Sequence, residues 1–108
     1  MNTQWQVVEG FDYEVSNKGQ VRNLHTGHIL KPYDNCTGYK KVSLRKDGKT
    51  HRLYVHRLVA MAFVEGYSEE NNTVDHIDAC RHNNTASNLQ WMSLEANVKK
   101  AHQQNRAS

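Results

Sequence analysis

The chain has 108 residues, of which 37% are hydrophobic and 23% are charged, so it can form one domain with a modest core but not two independent cores. No apolar run approaches the roughly 20 residues that cross a bilayer. The first ten residues have neither the basic start nor the apolar stretch of a secretion signal. We therefore expect a cytoplasmic protein that does not bind membranes.

The net charge of +3 is distributed unevenly along the chain. Residues 40–57 contain half of the fourteen lysines and arginines, namely Lys40, Lys41, Arg45, Lys46, Lys49, Arg52 and Arg57. A basic stripe of this kind suits the phosphate backbone of a nucleic acid. A solvated basic face has the same composition, so charge alone leaves both interpretations open.

Glycines and short polar turns divide the first third of the chain into strand-sized pieces. The strand candidates are Trp5–Val8, Val21–Asn23 and His28–Leu30. Short strands separated by turn residues predict an antiparallel meander.

A hairpin follows, and it is the clearest local element of the sequence. Segments Tyr39–Lys46 and Lys49–Val55 flank Asp47 and Gly48, a strong signal for a two-residue turn. The register that this turn sets gives one face that is mainly apolar and one that is polar and cationic. The polar face carries Lys41, Ser43, Arg45, Thr50, Arg52 and Tyr54.

Such a ribbon can lie in the major groove of DNA. We expect Lys41, Arg45 and Arg52 to contact DNA from the polar face. An amphipathic hairpin that only covers the core explains the apolar face equally well, and this alternative stays open.

Two helices and two further strands are predicted after the hairpin. Apolar residues at helical spacing predict a helix over residues 56–64, with Arg57 in its first turn, where it can face phosphate. The remaining candidates are strand Val74–Ile77, loop Asp78–Asn88, strand Leu89–Met92 and a helix from Leu94 to Gln104 capped by Ser93. The order predicts an α+β fold: an N-terminal antiparallel β meander and hairpin, a short helix, then a strand–loop–strand–helix unit.

One face of the last helix has a polar residue among apolar ones. Leu94, Asn97, Val98 and Ala101 share this face, so we expect Asn97 to point inward. Upstream, Asp75 offers a hard anionic oxygen and His76 a base that titrates near neutrality. Neighbours on an extended strand point to opposite faces, so a twist or bulge is expected to bring both to one centre.

These residues belong to the stretch DHIDACRHNNTASNLQWMSLEANVKKA, which resembles the HNH nuclease motif, a ββα-metal unit in which two short strands and a helix cradle one metal ion. Upstream, WQVVEGFDYEVSNKGQVRNLHTG is similar to the N-terminal module of phage-encoded homing endonucleases, and HRLVAMAFVEGY resembles the joining segment. The resemblance extends from Trp5 to about His102. It implies metal-dependent nicking of double-stranded DNA that leaves 5′-phosphate and 3′-hydroxyl ends, in the host cytoplasm if the protein is phage-encoded.

The resemblance also implies a role for individual residues. His76 would be the catalytic base, and Asp75 and Asn97 would hold the metal through oxygen. Asn88, in the middle position of the motif, would bond backbone and hold the loop around His76. Asn84 could share that duty. Asparagine replaces histidine as the last motif residue.

Oxygen ligands of this kind suit one divalent ion, Mg²⁺ or Mn²⁺. Some relatives carry a second histidine where this chain has Ala101, so phosphate contact would come from Arg81 or Lys100. The family commonly has glycine and asparagine where this chain has Ala79 and Cys80. Because alanine tolerates positive φ poorly, the turn of the loop is expected to differ.

We expect residues 1–55 to form a DNA-binding β module and residues 56–108 the helix and nuclease motif, within one compact domain that acts as a monomer or weak dimer. Two alternatives remain. The chain could be a catalytically inactive DNA-binding module. It could also be a zinc-stabilised domain that uses Cys36, Cys80 and histidines.

Overall fold

The structure, a computed structural model, describes residues 2–34 and 38–107, with the side chains of residues 2–34 and 38–100. Within these residues the elements are β1 (Trp5–Val7), β2 (Tyr13–Ser16), β3 (Val21–Asn23), β4 (Tyr33–Asp34), β5 (Lys40–Lys46), β6 (Lys49–Tyr54), α1 (Val55–Phe63), β7 (Thr73–His76), a 3₁₀ turn (Ala86–Asn88), β8 (Leu89–Met92) and α2 (Leu94–Ala107). The predicted α+β class and the order of its parts are confirmed.

The first sheet is antiparallel, with strand order β1-β2-β3. Its central strand, β2, was not predicted from the sequence, because the charged Glu14 interrupts the apolar pattern. In the sheet Glu14 lies opposite Arg22 and accepts a hydrogen bond of 2.9 Å from the Arg22 Nε. The predicted strand His28–Leu30 is wrong, since only an isolated bridge between Ile29 and Arg22 forms there.

The second sheet contains the predicted hairpin, and its register is confirmed. Strands β5 and β6 pair with Ser43 opposite Arg52, and β4 adds to the other edge of β5. Asp47 and Gly48 both adopt positive φ, at 52° and 74°, which is the conformation of the predicted two-residue turn. One hairpin face enters the core through Val42 and Leu44, which are 1% and 0% exposed.

Helix α1 begins one residue earlier than predicted and links the parts of the core. It contacts β2, β5 and β6 before it in the chain and β7 and β8 after it. The buried apolar residues are Val8, Tyr13, Val15, Val21, Val42, Leu44, Val55, Val59, Ala60, Val74, Leu89 and Trp91. The expected division of the chain at residue 55, into a DNA-binding module and a nuclease motif, stays a prediction.

Strands β7 and β8 pair in a continuous antiparallel register from Thr73–Met92 to His76–Leu89. The Ser93 hydroxyl then accepts a hydrogen bond of 3.1 Å from the Ala96 backbone N–H, so Ser93 caps α2 as predicted. None of the helices in the described part of the chain has the length and apolar character required to cross a bilayer.

The apolar face expected on α2 does not enter the core. Leu94 is 64% exposed and Val98 is 46% exposed, while the Ala101 side chain lies outside the described residues. The reason is that α2 lies against the two-stranded sheet through polar contacts with β7, which leave its apolar side chains uncovered. Asn97 is nevertheless half-buried, because it reaches Thr73 rather than an apolar core.

Candidate active site

A small polar cavity of about 60 Å³ lies at the end of β7. Five of the residues selected from the sequence line it: Asp75, His76, Arg81, Asn97 and Lys100. The other lining residues are Tyr39, Val74 and Ala79. The structure therefore brings together in one cavity an acid, an imidazole, an amide and two cations.

Asp75 and His76 both line this cavity although β7 has no bulge, which was one of the two distortions expected to bring them together. The pairing of β7 with β8 is regular, and alternate residues of β7 contact different elements. Thr73 and Asp75 bond to α2, whereas the His76 ring packs against rings of Tyr39 and His56. Both residues line the cavity because it lies where β7 ends.

The Asp75 carboxylate is buried and already paired. Its Oδ2 atom accepts hydrogen bonds from Lys100 Nζ at 2.6 Å and from Gln90 Nε2 at 2.9 Å. Gln90 lies opposite Asp75 in the sheet, so this amide is held in place by strand pairing. Lys100 comes from α2, one helical turn beyond Asn97.

The His76 ring is fixed by an amide from the following loop. His76 Nε2 lies 2.8 Å from Asn84 Oδ1, and both residues are buried. An amide oxygen can only accept a hydrogen bond, so Nε2 carries the proton and the lone pair of neutral His76 lies on Nδ1. A nitrogen with a free lone pair is what a general base requires.

The β2–β3 turn supports Asn84 from the other side. A Cβ atom on Gly19 would lie 3.0 Å from both Cβ and the backbone oxygen of Asn84, so only glycine fits there without displacement. The neighbouring Asn17 backbone oxygen accepts a 2.7 Å hydrogen bond from the Ala86 N–H. The N-terminal sheet therefore braces the loop that holds His76.

The loop itself is organised by Asp78, which was not among the residues selected from the sequence. Asp78 accepts hydrogen bonds from Asn83 Nδ2 at 2.9 Å, from Asn88 Nδ2 at 2.9 Å and from the Cys80 N–H at 2.7 Å. Hydrogen bonds from Asn83, Cys80 and Asn88 lower the pKa of this carboxyl. Asn88 also accepts from the Asp78 N–H and donates to the Asn83 carbonyl, so it lies in the frame of the loop rather than in the cavity.

Ala79 adopts a φ of 64°, the left-handed conformation that glycine adopts freely. The loop therefore keeps a turn of positive φ, with the strain of roughly 1–2 kcal/mol that a Cβ adds there. Alanine therefore carries the positive φ despite its Cβ, and the expected difference from the turn of relatives with glycine stays a prediction.

A second functional candidate, His56, was also missed as a site residue. Its ring lies 5.2 Å from each of the rings of Tyr39, Tyr54 and His76, measured between centroids. Among the described residues its Nδ1 has no hydrogen-bond partner although it is buried. Burial lowers the pKa of His56 to about 4, with the charges of His76 and Arg57 adding to the effect. His56 is thus an uncharged ring at neutral pH that packs beside His76.

The basic face of the hairpin reaches the rim of the cavity. Ser43, Arg45 and Arg52 are exposed on that face. At its base Lys41 Nζ lies 4.7 Å from the centre of the Tyr54 ring. The Tyr54 ring in turn contacts the ring of Tyr39, which is one of the residues that line the cavity.

Two predicted phosphate contacts differ in their surroundings. Arg81 lines the cavity, with its guanidinium 4.7 Å from the centre of the Tyr39 ring. Arg57 is exposed but donates a 3.0 Å hydrogen bond to the Asn72 carbonyl, so it serves to fix the segment before β7.

The zinc alternative finds no ligand set in the described part of the chain. No group of three or more histidine, cysteine, aspartate or glutamate residues converges within residues 2–34 and 38–100. Cys80 is exposed, and Cys36 lies outside the described residues.

Comparison with known proteins gives matches for both halves of the chain. The NUMOD4 motif model matches residues 4–45, and the HNH endonuclease model matches residues 53–99. DNA endonuclease I-HmuI of Bacillus phage SP01 is 41% identical over 97 residues, which cover 88% of this chain and 55% of the relative. H-N-H endonuclease F-TflI of Escherichia phage T5 is 30% identical over 95 residues, covering 86% of this chain and 48% of the relative.

A solved structure that describes DNA binding and cleavage by the HNH homing endonuclease I-HmuI is similar to this one, with a TM-score of 0.86 and 38% identity. The match covers 94% of this chain and 59% of the other. An uncharacterized HNH endonuclease, L245, of Acanthamoeba polyphaga mimivirus is 39% identical over 102 residues, covering 94% of this chain and 30% of the relative. The chain thus spans between 30% and 59% of the length of these relatives.

Proposed function

Because the chain belongs to the HNH endonuclease family, we propose that it hydrolyses phosphodiester bonds of double-stranded DNA with one divalent metal ion. The observation that carries this proposal is the cavity at the end of β7, which is lined by Asp75, His76 and Asn97. A carboxylate, an imidazole and an amide in one small cavity suffice to hold a cation and to activate a water molecule.

Asp75 and Asn97 fit a hard cation because both offer oxygen donors. The Asn97 amide nitrogen donates a 3.2 Å hydrogen bond to Thr73 Oγ1, which leaves the amide oxygen for the metal. We infer that the metal is Mg²⁺ or Mn²⁺. When bound, such an ion would polarise the phosphate and stabilise the charge on the leaving 3′ oxygen.

His76 would take the proton from the attacking water at Nδ1. The bond from Nε2 to Asn84 supports this role, because it fixes the ring and its tautomer. Asn88 would act one step further away, since its hydrogen bonds to Asp78 and Asn83 hold the loop that carries Asn84.

Double-stranded DNA would lie along the basic face of the hairpin and continue to the cavity. Lys41, Arg45 and Arg52 would neutralise phosphates along the hairpin. Near the scissile phosphate, Arg81 and Lys100 would do the same, because both line the cavity. Because one of its donors is bonded to the Asn72 carbonyl, Arg57 would contribute less to DNA binding than its position in the sequence indicated.

The products would carry 5′-phosphate and 3′-hydroxyl ends, as in the family resemblance. A chain with one base and one metal cuts one strand at a time, so a monomer would nick. A double-strand break would need two chains or two successive events.

The test is incubation of the purified chain with supercoiled plasmid, with Mg²⁺ or with excess chelator. We expect open-circle product only with the metal. DNA binding without nicking in Mg²⁺ or Mn²⁺ would instead support the inactive DNA-binding module, which is favoured by one observation: the Asp75 carboxylate already has Lys100 as its counter-ion.

A further inference from the structure

Lys100 occupies the place of a cation at Asp75. Its ammonium nitrogen lies 2.6 Å from Asp75 Oδ2, 3.2 Å from the His76 carbonyl oxygen and 3.4 Å from the Ile77 carbonyl oxygen. Three acceptors match the three protons of an ammonium group. The Lys100 ammonium therefore bonds to the carboxylate and the two carbonyl oxygens here, as a small bound cation would.

The neighbouring lysine shows that this arrangement is specific to position 100. Lys99 pairs with Glu95 at 3.4 Å on the helix surface, and its side chain is 72% exposed. The Lys100 side chain is 26% exposed and that of its partner Asp75 is 8% exposed. A surface pair of the first kind contributes little, whereas a buried carboxylate requires a counter-charge.

A metal held by Asp75 requires the same negative charge that Lys100 now neutralises. Two cations cannot share the carboxylate at contact distance without strong mutual repulsion in a buried site. The lysine stem is flexible and its head is a point charge, so the ammonium can leave for another anion while the backbone stays in place.

We propose that the Lys100 ammonium competes with the metal for Asp75 and that DNA relieves this competition. A phosphate of the DNA backbone near the cavity binds the ammonium, which leaves Asp75 free for the metal ion. This inference rests on the proposed function, because it takes Asp75 as a metal ligand. It adds that metal and DNA bind cooperatively. Linkage requires that each strengthens the other by the same factor.

Removing the ammonium should then strengthen metal binding in the absence of DNA. The experiment measures Mn²⁺ affinity by electron paramagnetic resonance for the unaltered chain, Lys100→Met, Lys100→Gln and the matched control Lys99→Met. We expect both Lys100 variants to bind Mn²⁺ more tightly, by a factor within the roughly 5- to 150-fold range of coupled sites. Lys99→Met, which removes the same charge one residue away, should leave the affinity unchanged.

The second measurement adds a short DNA duplex in a His76→Ala background, in which cleavage should be slow enough for binding to be measured. DNA should tighten Mn²⁺ binding to the otherwise unaltered chain and should do so much less after Lys100→Met. Thermal unfolding identifies folded variants. Lys100→Gln, which keeps donors for the two carbonyl groups, provides the answer if Lys100→Met does not fold.

Two results would overturn the inference in different ways. If Asp75→Ala abolishes Mn²⁺ binding but the Lys100 variants bind as the unaltered chain does, competition is absent and the metal site of the proposed function stands. If Asp75→Ala leaves Mn²⁺ binding unchanged, the ligand assignment fails and the competition fails with it.

Discussion

The hairpin face and the cavity at the end of β7 both hold charged residues, but in opposite surroundings. Arg45 and Arg52 are exposed on the hairpin. Asp75 and His76 are 7% and 5% exposed, and each has a defined hydrogen-bond partner. Salt screens the electrostatic interactions of exposed charges, so the loss of one such charge should change DNA binding only slightly. Buried groups act through hydrogen bonds of fixed geometry, so the loss of one should have a large effect. Substitutions in the two regions should therefore differ by orders of magnitude in effect.

The largest effect is expected for His76→Ala. Loss of the general base should reduce cleavage by about 10²- to 10⁴-fold, while DNA binding stays nearly unchanged. Plasmid nicking rates and duplex affinities of the folded variant provide the measurement. His25→Ala serves as the control, because His25 is an exposed histidine that pairs only weakly with Asp12 at 3.7 Å. A cleavage rate equal to that of the unaltered chain would remove His76 from the mechanism.

The two regions also differ in how far the sequence could predict them. The hairpin register was predictable because the Asp47-Gly48 turn and the period-2 pattern are both local. Strands β7 and β8 and the Ser93 cap were predictable for the same reason. Local signals of this kind do not depend on which other element packs nearby.

The surroundings of His76 were not predictable, since they depend on contacts between distant segments. Gly19 lies against Asn84, although 65 positions separate them in the chain. His56 was not selected as a site residue, because its burial beside His76 depends on how α1 packs on the small sheet. Asp78 was passed over within a polar loop, where nothing local distinguishes it from its neighbours. The exposure of Leu94 and Val98 reversed an inference from helical spacing alone.

A smaller effect, on stability rather than on rate, is expected at His56. Burial lowers the pKa of its imidazole from 6.5 to about 4. The unfolded state therefore takes up the proton first, so stability is lost as the pH falls from about 6.5 towards 4. The loss attributable to His56 should be on the order of 3 kcal/mol at pH 4. Urea unfolding at several pH values measures it.

The variant His56→Phe separates this effect from general acid denaturation. Phenylalanine is aromatic and cannot be protonated, so the stability of the variant should fall less between pH 6.5 and 4. The exposed His25 provides the comparison, because His25→Ala should keep the full pH dependence. Parallel curves for the unaltered chain and His56→Phe would contradict a lowered pKa at this position.

The smallest effects are expected on the hairpin, where the comparison can be tested most finely. If its polar face meets DNA, log–log plots of affinity against salt should have a slope near −0.9 per phosphate contact. Lys41→Ala or Arg45→Ala should each reduce the slope by roughly one unit and weaken all sequences similarly. Lys49→Ala is the matched control, since Lys49 lies opposite Lys46, on the other hairpin face.

Arg52 is the residue that could depart from this pattern. It lies opposite Ser43 in the middle of the ribbon, where a guanidinium can reach a base edge if the ribbon enters the major groove. Contact with guanine would give Arg52→Ala a sequence-dependent loss of about 1–3 kcal/mol, whereas contact with phosphate would give a uniform loss. A hairpin that only covers the core predicts neither result: all three variants would keep the affinity and the salt slope of the unaltered chain. Unchanged slopes in all three would leave Arg81, Lys100 and the last helix to hold the DNA, and the cations that matter would then be those near the cavity rather than those on the hairpin.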